Sequence, residues 1–179
     1  MQNLLRIVVA GPVGAGKSTF IRTISEIEVV DTDRKATDET ADMKANTTVA
    51  MDFGRITLGD DMWLQLYGTP GQSRFDFMWD LLIRKAHGYI LLVPAHLPGH
   101  MRAARSIRAF MRQRTDVPMI IGITHSDHPH SWDLEDIQMV LGDNEQSCPY
   151  LKLNPNDRVE VAHSLLALVE QLMPTAVAT

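Results

Sequence analysis

The stretch GPVGAGKS, residues 11–18, matches the pattern G-x-x-x-x-G-K-[ST] at every fixed position. A short apolar run at residues 4–10 precedes it, and apolar positions at helical spacing follow it over residues 17–28. In this strand–loop–helix order, glycines leave backbone N–H groups free to surround phosphates, and the start of the helix adds partial positive charge. The sequence therefore predicts a phosphate-binding loop.

Two side chains of this loop have chemistry suited to a nucleoside triphosphate. We expect the ammonium group of Lys17 to contact the β- and γ-phosphates. We expect the hydroxyl of Ser18 to ligate Mg²⁺, a hard cation that prefers oxygen ligands. The loop alone does not separate kinases, ATPases and GTPases, which all use it. The other nucleotide contacts expected in this region are Gly11, Val13, Gly14, Ala15, Gly16 and Thr19.

Apolar runs that alternate with helical segments predict an α/β fold, with a mostly parallel sheet and helices on both faces. A hairpin adds one antiparallel edge strand to a six-stranded sheet, and residues 31–46 are expected to form a loop. We expect a single domain over residues 1–179. The predicted strands are residues 4–10, 48–58, 62–66, 89–93, 117–124 and 150–153. The predicted helices are residues 17–28, 75–85, 100–115, 133–141 and 157–173.

Composition and charge exclude several classes of protein. The 179 residues are 45% hydrophobic and 22% charged, which is typical of a globular chain rather than a disordered one. A net charge of −5 is unfavourable for general nucleic-acid binding, and the single cysteine excludes an intramolecular disulfide. No apolar run has the length of a membrane span, and no signal-peptide or lipidation pattern is present. We therefore expect a soluble cytoplasmic protein with no intrinsic membrane anchor and no nucleic-acid partner.

Residues 67–72 read YGTPGQ and follow the second hairpin strand. Here the sequence resembles the Ras-like small GTPases, whose pattern at this strand end is D-x-x-G-Q. Within them it is most similar to the bacterial MglA-like branch and the conservon-type GTPases beside it, over nearly the whole chain. The resemblance implies a P-loop NTPase fold, in which the N–H of Gly71 contacts the γ-phosphate and Gln72 orients the attacking water.

The same resemblance implies metal contacts near the hairpin. Thr48, with Thr47 as the alternative, stands where the family's switch threonine reaches Mg²⁺ and the γ-phosphate, although a β-branched residue is also typical of a strand start. Gly68 stands where the family has the aspartate that holds Mg²⁺ through water. Asp52, on the neighbouring strand, is the candidate replacement, and a solvent-facing strand residue is the alternative interpretation.

Two further departures from the family pattern concern hydrolysis. Val13 replaces a glycine of Ras, and its branched side chain would crowd an arginine brought by a partner, so we expect slow hydrolysis. Arg74 is the candidate for an arginine supplied by the chain itself, and a solvated or partner-facing charge is the alternative. The implied catalytic residues are Lys17, Gln72 and Arg74.

The motif THSD ends a buried strand where the family has [N/T]-K-x-D. Asp127 would accept hydrogen bonds from guanine N1 and N2, which adenine does not offer in that form, and capping of the next turn is the alternative. Thr124 and His125 belong to the same motif, and His125 replaces the lysine that packs over the base. The last base motif falls at Asn154 and Pro155, where a proline has no N–H for guanine O6.

Two other patterns favour either partner binding or ordinary packing. One face of the predicted helix 100–115 carries four arginines, which form a docking face for an acidic protein or a solvated face. Aromatic and methionine residues crowd the segment after Gln72, as in a partner-binding anchor or a packed helix. The residues concerned are Arg102, Arg105, Arg108, Arg112, Phe75, Phe77, Met78 and Trp79.

The leading hypothesis is a molecular switch that binds GTP or GDP and hydrolyses GTP with Mg²⁺. The resemblance implies a regulatory protein of the Roadblock fold as partner, downstream effector proteins, and a role in bacterial polarity, motility or signalling. The altered base motifs, Gly68 and Val13 keep a second hypothesis open, which is a non-hydrolysing or ATP-binding P-loop scaffold. The third hypothesis is a P-loop kinase, and the PGQ sequence argues against it.

Overall fold

The computed structural model describes residues 3–31, 51–71, 76–143 and 147–173, in which helices pack on a central sheet. The strands are β1 (Asn3–Ala10), β2 (Val30–Asp31), β3 (Asp52–Leu58), β4 (Met62–Gly68), β5 (Gly88–Pro94), β6 (Met119–Thr124) and β7 (Tyr150–Lys152). The helices are α1 (Lys17–Ile24), α2 (Asp76–Ile83), α3 (Pro98–Arg112), α4 (Leu134–Leu141) and α5 (Arg158–Leu172).

Within the described residues the sheet has seven strands, in the order β2-β3-β4-β1-β5-β6-β7. Strand β1 pairs in parallel with β4 and β5, and β5, β6 and β7 continue in parallel. Strand β3 is antiparallel to β4, and β2 is antiparallel to β3. The predicted mostly parallel α/β fold with its hairpin is confirmed. The difference from the predicted six strands is β2, a two-residue strand that ends where the loop was expected to begin.

Both faces of the sheet are covered, because the central strands are apolar on both sides. In β1, Val8 packs in a cluster with α2, α3 and α4, whereas Ile7 and Val9 pack in a second cluster with α1 and α5. Successive side chains of a strand point to opposite faces, so a strand covered on both sides needs apolar residues at every position. This explains the continuous apolar runs in the sequence, and it brings the carboxyl ends of β1, β5 and β6 to one edge.

Helix α1 is shorter than predicted, since it ends at Ile24 rather than at residue 28. Ser25 leaves the helix in an extended conformation, and its hydroxyl donates to the carbonyl oxygen of Ile27. The same hydroxyl accepts from the N–H groups of Ile27 and Arg55. A serine that bonds nearby backbone groups competes with helical hydrogen bonding. Ile27 therefore fits the helical spacing but lies in the connection after the helix.

The contact between β3 and α1 depends on the absence of a side chain at Gly54. A Cβ there would lie 2.7 Å from Cγ2 of Ile21 and 3.0 Å from the Ser25 hydroxyl oxygen. Such distances force a shift of the strand or the helix. Because β3 carries Asp52 and α1 carries Ser18, this close packing also brings those two side chains together.

We expect Gly54→Ala to lower the free energy of unfolding by about 1–3 kcal/mol, because the added methyl group overpacks the contact with α1. Urea denaturation followed by circular dichroism measures the change. Gly99→Ala is the matched control, because a Cβ at Gly99 meets nothing within 4 Å and the residue lies in the first turn of α3. An unchanged urea midpoint for Gly54→Ala would contradict this description of the contact.

Candidate nucleotide-binding site

The phosphate loop joins the end of β1 to the start of α1, which is where the sequence predicts it. Gly11 has a φ of +152°, and a Cβ on it would lie 2.6 Å from the carbonyl oxygen of Leu92. Gly16 has a φ of +99°, and a Cβ on it would lie 2.8 Å from Cγ of Pro155. Both positions need glycine, because the backbone is left-handed there and a neighbouring group occupies the side-chain space.

Lys17 lies at the first position of α1 and its side chain turns back over the loop. Its Nζ donates to the carbonyl oxygens of Gly11 and Pro12, each at 2.8 Å. Burial lowers the pKa of Lys17 to about 8, and the negative charge of Asp52 acts in the opposite direction. An anionic phosphate in the loop would favour the charged ammonium in the same way as Asp52, because opposite charges stabilise each other.

Ser18 and Asp52 are in direct contact, as the hydroxyl of Ser18 donates to Oδ2 of Asp52. A Cβ built on Gly68 would lie 3.3 Å from Cβ of Asp52 and 3.5 Å from its Oδ2. The Asp52 carboxylate therefore occupies space beside the position where the resembled family has its aspartate. A hydroxyl and a carboxylate are hard oxygen ligands, so this donor set fits Mg²⁺.

Gly71 lies directly against the phosphate loop. A Cβ on it would lie 2.6 Å from the backbone nitrogen of Val13 and 2.9 Å from the carbonyl carbon of Pro12. Two residues earlier, the N–H of Thr69 donates to the carbonyl oxygen of Val9 at 2.9 Å, which ties this segment to β1. Five predicted residues lie outside the described part of the chain, so their roles stay predictions: Thr47, Thr48, Gln72, Arg74 and Phe75.

A cavity of about 470 Å³ opens beside the phosphate loop. Gly16 and Thr19 line it on one side, and Asp127 lines it from the turn after β6. Residues 152–156, which begin at the last residue of β7, and Glu160 of α5 complete the wall. The structure thus brings the predicted phosphate loop and both predicted base motifs to one cavity.

The end of β6 is joined to the phosphate loop by Thr124. This fully buried residue donates its hydroxyl to the carbonyl oxygen of Ala15 at 2.9 Å. His125 follows with a φ of +57°, and its ring lies 4.1 Å from that of His96, centroid to centroid. Burial lowers the pKa of His96, and the imidazoles of His125 and His128 add to this effect. The lowered pKa favours a neutral His96 ring beside His125 at pH 7.

The loop at Asn154 and Pro155 has its backbone donors already engaged. The N–H of Asn154 donates to Oε2 of Glu160 at 2.6 Å, and the N–H of Asn156 donates to Oδ1 of Asn154 at 3.0 Å. Pro155 has no N–H, and its carbonyl oxygen accepts from the hydroxyl of Thr23 at 2.6 Å. This loop therefore presents no free backbone N–H to a base oxygen, whereas the side chain of Lys152 on the same wall is a cationic donor.

Three residues of the site carry no signal in the sequence motifs. His96 and His100 follow the end of β5, and Nδ1 of His100 lies 2.7 Å from the carbonyl oxygen of Val13. The carboxyl end of a central parallel strand is the signal that could have indicated them. Asp157 and Glu160 form a D-x-x-E pattern, which is typical of a helix start. This pattern does not indicate that Glu160 also accepts a hydrogen bond from the N–H of Asn154.

The arginine face of α3 is not free along its whole length. Nη2 of Arg108 lies 2.8 Å from Oδ1 of Asp143, whose side chain is only 3% exposed. Nη1 of Arg108 donates to the carbonyl oxygen of Leu141, the last residue of α4. This arginine therefore fastens α3 to the end of α4, which the helical spacing alone does not reveal.

Two absences concern only the described residues. No three His, Cys, Asp or Glu side chains in those ranges are arranged to hold one metal ion. No helix among them is long and apolar enough to cross a membrane.

Comparison with known proteins identifies the family. The sequence model of the family described as "Conserved hypothetical ATP binding protein" matches residues 27–178. The chain is 31% identical over 121 residues to a Ras and EF-hand domain-containing protein of Danio rerio, covering 65% of this chain and 16% of that protein. It is 30% identical over 92 residues to an uncharacterized protein of Methanocaldococcus jannaschii, covering 51% of each.

The chain thus spans about a sixth and about half of the lengths of these two relatives. Neither match concerns the MglA-like branch, which stays a prediction. The phosphate loop, the sheet order and the family match agree on a P-loop nucleotide-binding fold, and the chain belongs to the P-loop family described as conserved hypothetical ATP-binding proteins.

Proposed function

We propose that this protein is a Mg²⁺-dependent switch that binds GTP and hydrolyses it slowly to GDP. The observation that carries the proposal is the single cavity lined by Gly16 and Thr19 on the phosphate side and by Asp127 on the base side. A nucleotide whose phosphates occupy the loop would direct its base toward this cavity. The carboxylate of Asp127 is exposed at the rim and suited to accept from guanine N1 and N2.

The phosphate half of the site supplies positive charge and metal ligands. Lys17 would leave the carbonyl oxygens of Gly11 and Pro12 to contact the β- and γ-phosphates. Ser18 and Asp52 would hold Mg²⁺, which neutralises phosphate charge when bound. The proton that Ser18 now donates to Asp52 would turn away, since the hydroxyl oxygen needs a lone pair for the metal.

The residues proposed for hydrolysis act around the γ-phosphate. Gly71 supports this role by lying against Val13, where its N–H can meet a third phosphate. Gln72 would orient the attacking water, Thr48 would complete the metal ligands, and Arg74 is the proposed intrinsic arginine. The side chain of Val13 is 51% exposed above the loop and would obstruct an arginine from a partner, which supports slow turnover.

The proposed partners are a regulator of the Roadblock fold and downstream effector proteins, in the cytoplasm. The outer face of α2 supports a protein contact near the phosphate site, because Phe77 and Leu81 are 49% and 57% exposed on successive turns. Apolar side chains at such spacing are typical anchors at protein interfaces.

ATP binding without hydrolysis is the second candidate function. The family's description as ATP-binding favours it, and so does the Asn154 loop, which has no backbone N–H left for guanine O6. Asp127 would then accept from the adenine amino group rather than from guanine. The two candidates differ in base preference and in phosphate release.

Calorimetric titration of the nucleotide-stripped protein in Mg²⁺ separates them. We expect GTP to bind at least about a hundredfold more tightly than ATP, about 2.7 kcal/mol, because an adenine leaves Asp127 poorly matched. Asp127→Ala should reduce that ratio toward one, and Asp116→Ala, at an exposed aspartate of the α3–β6 connection, is the matched control. Equal or tighter ATP binding by the parent protein would support the second candidate.

Removing the Asp52 carboxylate should weaken only the part of the GTP affinity that depends on Mg²⁺. We expect Asp52→Ala to reduce the gain in GTP affinity that Mg²⁺ provides by about tenfold to a hundredfold, with little change in EDTA. Titrations with and without Mg²⁺ measure the gain, and Asp60→Ala in the hairpin turn is the control. If Asp52→Ala gains as much from Mg²⁺ as the parent, Asp52 does not hold the metal.

The role of Gln72 is tested by single-turnover hydrolysis. We expect Gln72→Ala to slow release of phosphate from bound GTP by about a hundredfold, because the attacking water loses its orientation. GTP affinity should stay near the parental value, and Gln113→Ala, at the exposed residue that caps α3, is the control. Parental hydrolysis by the variant would show that Gln72 does not orient the water.

A further inference from the structure

We infer that Trp79 is a positioning residue for recognition of the γ-phosphate. Its indole N–H holds the carbonyl oxygen of Pro70 and thereby keeps Gly71 against the phosphate loop. This inference rests on the proposed function, because it assigns Trp79 to the discrimination of a nucleoside triphosphate from a diphosphate.

The hydrogen bond is short and lies inside the protein. Nε1 of Trp79 donates to the carbonyl oxygen of Pro70 at 2.7 Å, and the Trp79 side chain is 4% exposed. A buried carbonyl oxygen that loses its donor carries a desolvation cost, so this bond strongly favours one position of Pro70. It also crosses from helix α2 to the strand end of β4, which makes it a connection between two elements.

The segment Thr69–Gly71 is held at three successive residues. The N–H of Thr69 donates to Val9 in β1, and Pro70 accepts from Trp79. Gly71 then meets Val13 so closely that its α-carbon has no room for a side chain. Of these three restraints, Trp79 supplies the one that comes from outside the sheet and the phosphate loop.

Trp79 is itself held by helix α3. Its ring makes an edge contact with Phe110, with centroids 5.4 Å apart and an interplanar angle of 83°. The guanidinium of Arg114 lies over the Phe110 ring, 3.5 Å from its centroid. Arg114 also pairs with Asp80, the residue after Trp79, at 3.0 Å between Nε and Oδ1. Two consecutive residues of α2 are therefore fixed to the end of α3.

These contacts predict an effect on one class of nucleotide. The α- and β-phosphates interact with the loop at residues 11–18, whose hydrogen bonds do not include Trp79. A γ-phosphate would contact the N–H of Gly71. This N–H belongs to the same peptide group as the carbonyl of Pro70. Loss of the indole donor would let Pro70 rotate and would cost the triphosphate its contact, while leaving the diphosphate unaffected.

Trp79→Phe keeps an aromatic ring for Phe110 and removes the N–H donor. We expect it to weaken binding of a non-hydrolysable GTP analogue by about fivefold to tenfold, the value of one hydrogen bond, with GDP affinity unchanged. Calorimetry in Mg²⁺ measures both affinities. Trp63→Phe is the matched control, because Trp63 lies near the start of β4 beside Arg55, and its triphosphate-to-diphosphate ratio should stay parental.

A second variant covers the case in which the smaller ring destabilises the core. Benzothienylalanine at position 79 keeps the shape of tryptophan and replaces the N–H by sulfur, so it should reproduce the selective loss while the packing around the ring is preserved. Equal weakening of GDP and the GTP analogue, or a parental ratio in this variant, would overturn the inference. If the parent binds neither GTP nor its analogue, or binds ATP as tightly as GTP, the proposed function fails instead, and the two failures remain distinguishable.

Discussion

The site depends on three glycines at which the chain lies so close to a neighbouring group that no side chain would fit. Gly11 meets the end of β5, Gly16 meets the loop after β7, and Gly71 meets Val13. Each approach brings a different part of the chain to the phosphate loop, so the proposed phosphate, base and γ-phosphate contacts would all depend on one packing arrangement. The buried carboxyl-terminal half of β1 and the buried strands β5 and β6 make this possible, because their burial on both faces fixes their carboxyl ends at one edge.

The proposed metal contacts also depend on a missing side chain. Gly68 and Asp52 lie on paired strands of the hairpin, and a side chain at Gly68 would crowd the Asp52 carboxylate. A glycine on one strand therefore makes room for a carboxylate on the other, in contact with Ser18. Gly54 acts further along the same strand, because its lack of a Cβ lets β3 approach α1. The departure from the resembled family pattern at Gly68 is thus accompanied by a carboxylate on the paired strand, next to Ser18.

The sequence predicted the features that depend on neighbouring residues, and it missed those that arise from contacts between residues far apart in the chain. Apolar runs located β1, β5 and β6, and the glycine pattern located the phosphate loop, since both signals are local. Helical spacing predicted that α1 continues past Ser25, whereas the helix ends at Ile24. The Ser25 hydroxyl accepts from the N–H of Arg55, thirty residues away, and no local pattern shows this contact. The same limitation applied to Arg108, which the spacing assigned to an exposed face although it pairs with Asp143 on another element.

Helix α3 contacts both loops that would surround a γ-phosphate, at opposite ends of its length. Near its start, His100 lies 2.7 Å from the carbonyl oxygen of Val13 in the phosphate loop. Toward its end, Phe110 and the following Arg114 support Trp79, which bonds to Pro70. Helix α3 therefore reaches the phosphate loop directly through His100 and the Pro70 segment through Trp79, while its exposed face carries Arg102 and Arg105.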